Sequence, residues 1–566
     1  MATDKNSALP DAFPETAEFW SALRDGRLLV KRCEACGESH FYPRVYCPFC
    51  GSARTQWQET SGRGTLYSFS ILRKSKPPVA PAVIELEGGV RLISVIRDAN
   101  VFSLQIGQDV VVHPSEQDGA TELAFTTEAA QQARSHAARA TASAADVPGF
   151  ARPDPAAFEK VAVVGAGTMG IGITMALVNS GIATTLIDVD DDSLQRGLSR
   201  IREQYEVSVQ RKRVSPAQMQ ERLARITLAT NYEAIRDADA VIEAVWEQMS
   251  LKKLVFAQID AHAKAGALLG TNTSGLDVNA IADSTNRPQY VVGLHFFTPA
   301  QSMKLLEVVR GRVTSDASIS RALSLGLRLG KVPVLVESSP GFAGNRIFGK
   351  REAQARALLL EGATPEQVDR VLVEFGMPMG SFELQDMAGG VELLYRRRQS
   401  EGGVDWLGDR MFEAGRLGQK AGRGYYRYEA GGRKPIADPE FTAMLQEASH
   451  HAGIERRRLS DDEVRERLVM PMINEACKLI EEGVVARPTD IDAVWLHGYG
   501  WPAWRGGILH HADQLGAAHV LERLQMLQSR HGDAFMPSSL LMSVAQSGGR
   551  FADLPPRAQR AAAFTI

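Results

Sequence analysis

The 566-residue chain has only 5 Cys and 7% aromatic residues, and 64 Lys+Arg nearly balance 67 Asp+Glu, for a formal charge of −3. So few thiols in so long a chain exclude a disulfide-stapled secreted scaffold. Without a strong charge of either sign there is no global attraction for nucleic acid or for an anionic membrane. Long apolar runs are missing too. The longest candidates, such as Val161–Val164, are strand-sized and far short of the ~20 residues of a membrane helix. Met1–Thr16 shows no basic stretch followed by an apolar one, and the closing Ala-Phe-Thr-Ile is no peroxisomal address, so a cytoplasmic location is expected. What is present, 50 Gly and 44% hydrophobic residues, is ordinary globular composition; at ~100–200 residues per domain it suits three to five domains.

Four of the five cysteines are gathered as Cys33, Cys36, Cys47 and Cys50, two CxxC pairs ten residues apart. Two such knuckles bring four thiolates to the corners of a tetrahedron, the arrangement of structural zinc, and leave no open position for a catalytic water. A redox CxxC would not need the second pair. Cys477 reads as a small helical core residue. Phe19–Val30 reads as an amphipathic helix broken at Gly26. Short β-rich runs follow the knuckles at Gly64–Ile71, Ala82–Leu86, Val90–Ile96 and Gly107–Val112, which suggests a small barrel.

The stretches FWSALRDGRLLVKRC, CEACGESHFYPRVYCPFCGS, SGRGTLYSF and IGQDVVV resemble a bacterial and archaeal family of acyl-CoA-associated proteins built from a helical hairpin, a rubredoxin-like zinc ribbon and an OB-fold. The resemblance covers most of residues 14 to 126 and implies a partner enzyme acting on acyl-CoA, such as a thiolase or hydratase. OB-folds also bind single-stranded nucleic acid, but residues 1–128 hold 13 Lys+Arg against 16 Asp+Glu, not the positive stripe such a groove carries. Arg73, Lys74 and Lys76 could meet the phosphates of coenzyme A or form an ordinary solvated loop.

An Ala-rich stretch and then a Pro- and Gly-broken one form a linker at 128–157. Beyond it, Lys160–Val164 reads as a buried strand running into Gly165, Gly167, Thr168, Met169 and Gly170, then a helix, then a strand ending in Asp188. Such glycines let backbone approach a pyrophosphate at a helix N-terminus, and a carboxylate 23 residues after Gly165 can hold an adenine ribose and repel a 2′-phosphate. NAD is therefore the expected cofactor. Asp190–Asp192 read as a helix-capping acidic turn.

Further strands are expected at Ala240–Val245, Leu268–Ser274 and Tyr290–Phe297. His295 closes the last of these, and Glu307 lies in the apolar run Met303–Val309, where an unpaired carboxylate is costly to bury. On neighbouring strands the carboxylate would orient the imidazole and raise its basicity. The stretches VAVVGAGTMGIGI, VIEAVWEQMSLKKLVF, GTNTSGL, GLHFFTPA, MKLLEVV, SPGFAGNR and LGQKAGRGYYRY closely resemble the L-3-hydroxyacyl-CoA dehydrogenase family. The resemblance implies that His295 takes the hydroxyl proton of a (3S)-3-hydroxyacyl-CoA while Glu307 stabilises the imidazolium. It also implies that Ser274 and Asn345 contact substrate or nicotinamide, and that Glu247 and Lys252 lie beside the cofactor. Read without it, those four are a loop hydroxyl, a helix-cap amide and a surface charge pair. Thr298, Gly275 and Gly344 depart from the family's usual residues; the two glycines suggest an enlarged pocket and a bulky, branched, cyclic or aromatic acyl group.

Gln367-Val-Asp-Arg-Val before Gly376 recurs as Asp490-Ile-Asp-Ala-Val before Gly500, with Asp369 and Asp492 123 residues apart. Two tandem copies can cover each other's apolar faces. This duplication resembles the dehydrogenase half of the multifunctional fatty-acid oxidation enzymes, with the zinc module standing where their hydratase domain would be, so no hydratase activity is expected. The chain is thus read as a zinc-ribbon and OB-fold domain (14–127), a linker (128–157), an α/β Rossmann domain (158–338) and two all-α domains (339–440 and 441–566). The rival expectation is a non-catalytic protein that delivers acyl-CoA to a thiolase.

Overall fold

The structure is a computed structural model that describes residues 13–73, 75, 77–117, 119–150 and 158–556. Packing gathers the described residues up to His136 with Thr364–Ala448 and Pro502–Gly506 in one unit, and the other described residues, from Ala137 on, in a second.

In the first unit, among the described residues before the cysteines, the helix Ala17–Arg24 buries Phe19, Trp20 and Leu23; anything before Phe13 lies outside the described residues. The helix ends at Asp25, and Gly26 takes φ +79. The chain then turns into strand β1 (Leu29–Cys33), not a second helical segment, because two strands are there to pair with it: β2 (Ser39–His40) and β3 (Thr55–Glu59) flank β1 antiparallel. Five more strands close a barrel: β4 (Arg63–Phe69), β5 (Ala80–Leu86), β6 (Arg91–Ile96), β7 (Asp109–Val112) and β10 (Ala124–Thr127), in the order β10-β6-β5-β4-β7. Between β7 and β10 a hairpin of β8 (Ser115–Gln117) and β9 (Ala120–Glu122) stands apart. In β5 every second residue is buried, the period of a strand with one face on a core. Strand β10, not expected from the sequence, supplies the closure by pairing parallel with β6 and antiparallel with β7. Five strands closed this way form an OB-type barrel. In the basic loop, Arg73 lies 5.0 Å over the Phe102 ring, while Lys74 and Lys76 fall outside the described residues.

The Ala-rich segment taken as linker is a helix over Glu128–Ser143. Ala130, Ala133, Ala137, Ala140 and Ala144 are buried at alternating spacings of three and four, so it is a packed element. Residues 151–157 of that segment lie outside the described ones.

The second unit holds an eight-stranded sheet in the order β13-β12-β11-β14-β15-β16-β17-β18. These are β11 (Lys160–Val164), β12 (Ala183–Ile187), β13 (Ile226–Ala229), β14 (Ala240–Glu243), β15 (Leu268–Thr271), β16 (Val291–Phe296), β17 (Leu305–Arg310) and β18 (Val332–Glu337). The first six run parallel in the 3-2-1-4-5-6 order of a dinucleotide-binding fold. β14, β15 and β16 are buried along their whole lengths, which is why they read as unbroken apolar runs. The sheet reverses once, between β16 and β17.

The duplication has a physical signature. Asp369 accepts the amides of Phe382 and Glu383 at 2.9 Å, opening the helix Ser381–Ala388, and a Cβ on Gly380 would stand 2.1 Å from that carboxylate's Cγ. Asp492 likewise accepts the Leu509 amide at 2.8 Å beside Gly507, where a Cβ would fall 2.2 Å away. Further on, Asp386 takes the amides of Tyr425 and Tyr426, and Asp513 those of Phe551 and Ala552. Within the second unit the leading helices of the two copies, Gly344–Glu361 and Asp461–Glu481, pack on one another. Arg346 reaches Glu475 (2.9 Å), and Arg467 reaches Gln354 (3.1 Å). Cys477 is buried in the second of these helices, and burial pushes its thiol up.

Candidate active site and metal centre

The two cysteine knuckles are built alike. In each, the first Cys amide bonds the carbonyl five residues on and its own carbonyl accepts a glycine amide, with Gly37 at φ +80 and Gly51 at φ +71 closing the turns. All four Sγ atoms lie within 4.8 Å of one another, with Cys33 to Cys50 at 3.6 Å and Cys36 to Cys47 at 3.7 Å. Tetrahedral thiolates about 2.3 Å from a zinc ion stand about 3.8 Å apart, the spacing of these two pairs, so the four sulfurs suit a zinc ion.

The dinucleotide loop follows β11. Gly165 takes φ +108 with a prospective Cβ 2.7 Å from the Ala244 carbonyl, and one on Gly170 would overlap the Gly165 carbonyl at 1.7 Å. Gly167 differs: nothing lies within 4 Å of its missing Cβ, so its open face, at the N-cap of helix Thr168–Asn179, suits a pyrophosphate. Asp188 ends β12 with one carboxylate oxygen on the Ala166 amide (2.6 Å) and the other on the Val189 amide (2.7 Å), which anchors it beside the glycines. Asp190 caps the next helix through the Ser193 amide, as an acidic turn should. Thr298 donates to the Met169 sulfur at 2.9 Å, tying the β16–β17 turn to this loop.

Because β16 and β17 are antiparallel, His295 and Glu307 are direct register partners. Glu307 is fully buried, and one of its oxygens meets His295 Nδ1 at 2.7 Å. Its other oxygen accepts the amides of Ala343 (3.2 Å) and Gly344 (3.0 Å). A carboxylate only accepts, so Nδ1 carries the proton and Nε2 is left as the basic nitrogen. Phe297 (4.3 Å) and Phe342 (5.7 Å) flank the ring.

Lys252 is no surface residue. It is fully buried, 2.7 Å from Glu243 and 3.2 Å from Glu247. Glu243 ends β14, accepts the Thr271 hydroxyl at 2.6 Å, and was missed in the sequence, where it looked like one more strand position. Burial would raise the Glu247 carboxyl, but Lys252, the Thr273 hydroxyl and the Ser274 amide hold it below the ordinary carboxylate range. Glu247 also accepts the Ser274 hydroxyl at 3.1 Å, and Asn345 Nδ2 donates to the Ser274 carbonyl at 3.1 Å. Removing a partner from a buried pair costs about 3–5 kcal/mol, so Lys252→Met should lower stability by that order in a urea titration. Adding Glu243→Gln should restore part of it.

The two glycines do not open the pocket. A Cβ on Gly344 would stand 2.4 Å from Tyr499 Cε2, and one on Gly275 would stand 3.1 Å from the Gly341 amide nitrogen. Gly344 makes room for a protein ring. Tyr499, unnoticed in the sequence because it lies 154 positions from Asn345, donates to Asn345 Oδ1 at 2.8 Å.

Residues 160–339 match the 3-hydroxyacyl-CoA dehydrogenase NAD binding domain, and the family's C-terminal domain matches twice, at 341–428 and 464–551. Residues 20–56 match the ChsH2 rubredoxin-like zinc ribbon domain and 57–113 the ChsH2 C-terminal OB-fold domain. The peroxisomal bifunctional enzyme of Danio rerio is 38% identical over 417 residues, 70% of this chain, and that of Homo sapiens 39% identical over 409 residues, 69% of it. The chain spans 57% and 56% of those two proteins. Among solved structures, the 3-hydroxybutyryl-CoA dehydrogenase of Escherichia coli aligns with a TM-score of 0.59 at 28% identity, covering 69% of this chain and 99% of its own. The dehydrogenase part of multifunctional enzyme 1 from C. elegans aligns at 0.55 and 26% identity, covering 73% and 96%. No helix among the described residues is long and apolar enough to cross a membrane. With its NAD-binding domain, a doubled C-terminal domain and an appended zinc-ribbon and OB-fold module, the chain belongs to the 3-hydroxyacyl-CoA dehydrogenase family.

Proposed function

We propose that the protein oxidises a (3S)-3-hydroxyacyl-CoA to the 3-ketoacyl-CoA with NAD, in a β-oxidation-like pathway. The observation that carries this is the buried Glu307 locked onto His295 Nδ1, which leaves Nε2 to accept the proton of the substrate's C3 hydroxyl. Gly165, Gly167, Thr168, Met169 and Gly170 would cradle the cofactor's pyrophosphate and Asp188 its ribose, and when bound the nicotinamide accepts the hydride from C3. Positive charge then grows on the imidazole while Glu307, already in place, stabilises it; this interaction strengthens toward the transition state. Ser274 and Asn345 would position the C3 oxygen, with Glu247 and Lys252 bracing them. The boundaries 14–127, 158–338, 339–440 and 441–566 are proposed as the functional division of the chain, with the packed helix Glu128–Ser143 taking the first part of the expected linker 128–157.

The acyl group is proposed to be branched, cyclic or aromatic. The support is the half-buried Phe297 ring 4.3 Å from His295, backed edge-on by Tyr499 at 5.4 Å, an aromatic neighbour for an acyl group beside the base. We further propose that the zinc module docks an acyl-CoA enzyme such as a thiolase. Tyr46 and Phe49, each 63% exposed beside the second knuckle, and the half-covered Tyr42 supply an apolar contact surface. A cytoplasmic site of action fits four thiols arranged for metal, not for disulfides.

The test is NADH formation over a panel of 3-hydroxyacyl-CoAs. Turnover is expected, with higher kcat/KM for cyclic or aryl groups than for 3-hydroxybutyryl-CoA. A preference for the linear substrate would overturn the acyl assignment, and no turnover on any member would overturn the activity.

A further inference from the structure

We propose that Tyr499, from the second helical repeat, is a positioning residue of the dehydrogenase site: its hydroxyl sets the orientation of the Asn345 amide. This rests on the reading of the site given above. The Ser274 carbonyl can only accept, so the Asn345 atom 3.1 Å from it must be the NH2 group. The amide oxygen is thereby turned to Tyr499, whose O–H donates at 2.8 Å. With both ends assigned, one N–H of the Asn345 amide remains for an outside acceptor, and the C3 oxygen of the substrate is the group that gains negative character as the proton leaves.

The ring is held for this task. Trp495 stacks on it at 4.5 Å and 21°, Phe297 meets it edge-on at 5.4 Å, and Phe348 lies at 5.7 Å. Phe297 in turn contacts His295 at 4.3 Å, so Tyr499 is one ring removed from the proposed base. The absence of a side chain at Gly344 is what admits it: a Cβ there would stand 2.5 Å from the hydroxyl oxygen. Burial and the nearby Glu307 charge push the phenol well above its ordinary range, so the hydroxyl stays a donor wherever the enzyme works. In a protein with a single helical copy this position would have to be filled from elsewhere; here the second copy brings it.

The experiment is a double-mutant cycle on the full-length protein with NAD and the best 3-hydroxyacyl-CoA. Tyr499→Phe keeps the ring and removes the donor. It should lower kcat by about 2- to 13-fold, the loss expected for one neutral hydrogen bond, while the KM for NAD and the melting temperature stay put. In an Asn345→Ala background the same change should cost nothing further, because there is no amide left to orient. A merely structural tyrosine would show equal losses in both backgrounds, and that result overturns the proposal, as does a Tyr499→Phe enzyme with wild-type kcat. Should Tyr499→Phe melt below the assay temperature, the same cycle is run on all four proteins at a temperature where each is folded, with the same pair of outcomes. Absence of turnover in the wild type overturns the dehydrogenase reading and this inference with it; wild-type turnover with a silent Tyr499→Phe overturns this inference alone.

Discussion

His295→Ala should lower kcat for NADH formation by about 10²- to 10⁴-fold, the range of a lost general base, without weakening NAD binding. The cofactor's expected holds, the glycine loop after β11 and Asp188 after β12, are built without the imidazole. Glu307→Gln should be comparably damaging, although it is nearly the same size. Two backbone amides, from Ala343 and Gly344, converge on one carboxylate oxygen. In a glutamine the amide oxygen must stay with those donors, which turns the NH2 group toward His295 Nδ1. The imidazole then has to accept at Nδ1 and carry its proton on Nε2, the wrong tautomer for taking a proton from substrate. Steady-state kinetics on both variants, with NAD affinity measured by fluorescence titration, checks this. Near-wild-type turnover in both would remove His295 from the chemistry.

Zinc removal should have the largest effect on stability. Zinc bound at the four sulfurs contributes a binding energy of about 10–16 kcal/mol in small structural sites, and in such sites that energy is folding energy. The ribbon around it is thin: its sheet has three strands, one of them two residues long. Purified protein is expected to carry one zinc for its single four-cysteine cluster. Cys33→Ser or a strong chelator should unfold the ribbon, seen as loss of tryptophan signal from Trp20 and Trp57. The dinucleotide sheet, which lies in the other packing unit, should keep its far-ultraviolet signal and NAD binding. Metal analysis that finds none would refute the assignment.

These two sites were legible in the sequence because each is written locally. Knuckles are short-range turns, and β11 with its glycines and β12 with Asp188 form one unbroken stretch. His295 and Glu307 stand only twelve positions apart on adjacent strands. Other features depend on contacts between distant segments and left no periodic trace. Leu29 and Val30 continued a helical pattern but open a strand, since β2 and β3 were there to pair with it. Strand β10 needed β6 and β7 to become one. Lys252 sat on a helix of mixed character, and nothing nearby revealed that Glu243, on another element, would hold it in the interior. The glycine at 344 was readable as a missing side chain but not as a seat for Tyr499, because an empty position in a sequence does not say whether solvent, substrate or another part of the chain fills it.

The single reversal between β16 and β17 also bears on how such an enzyme can change over time. Were the two strands parallel, a crossover of a dozen or more residues would have to lie between His295 and Glu307. As it is, one turn at 297–304 joins them, and ladder pairing, from Gly293 opposite Val309 to Phe296 opposite Leu306, fixes the register independently of that turn. A change of length within the turn would therefore be felt first at Thr298, which holds Met169 of the dinucleotide loop, and at the Ala300 and Met303 carbonyls, which Lys331 holds, while the base and its carboxylate stay opposed. A one-residue slip in either strand, by contrast, would send one of the two to the other face of the sheet. Register and turn are thus separate constraints on a single hairpin: ladder pairing keeps the base opposite its carboxylate, and the turn is held by its own contacts to the dinucleotide loop and to Lys331.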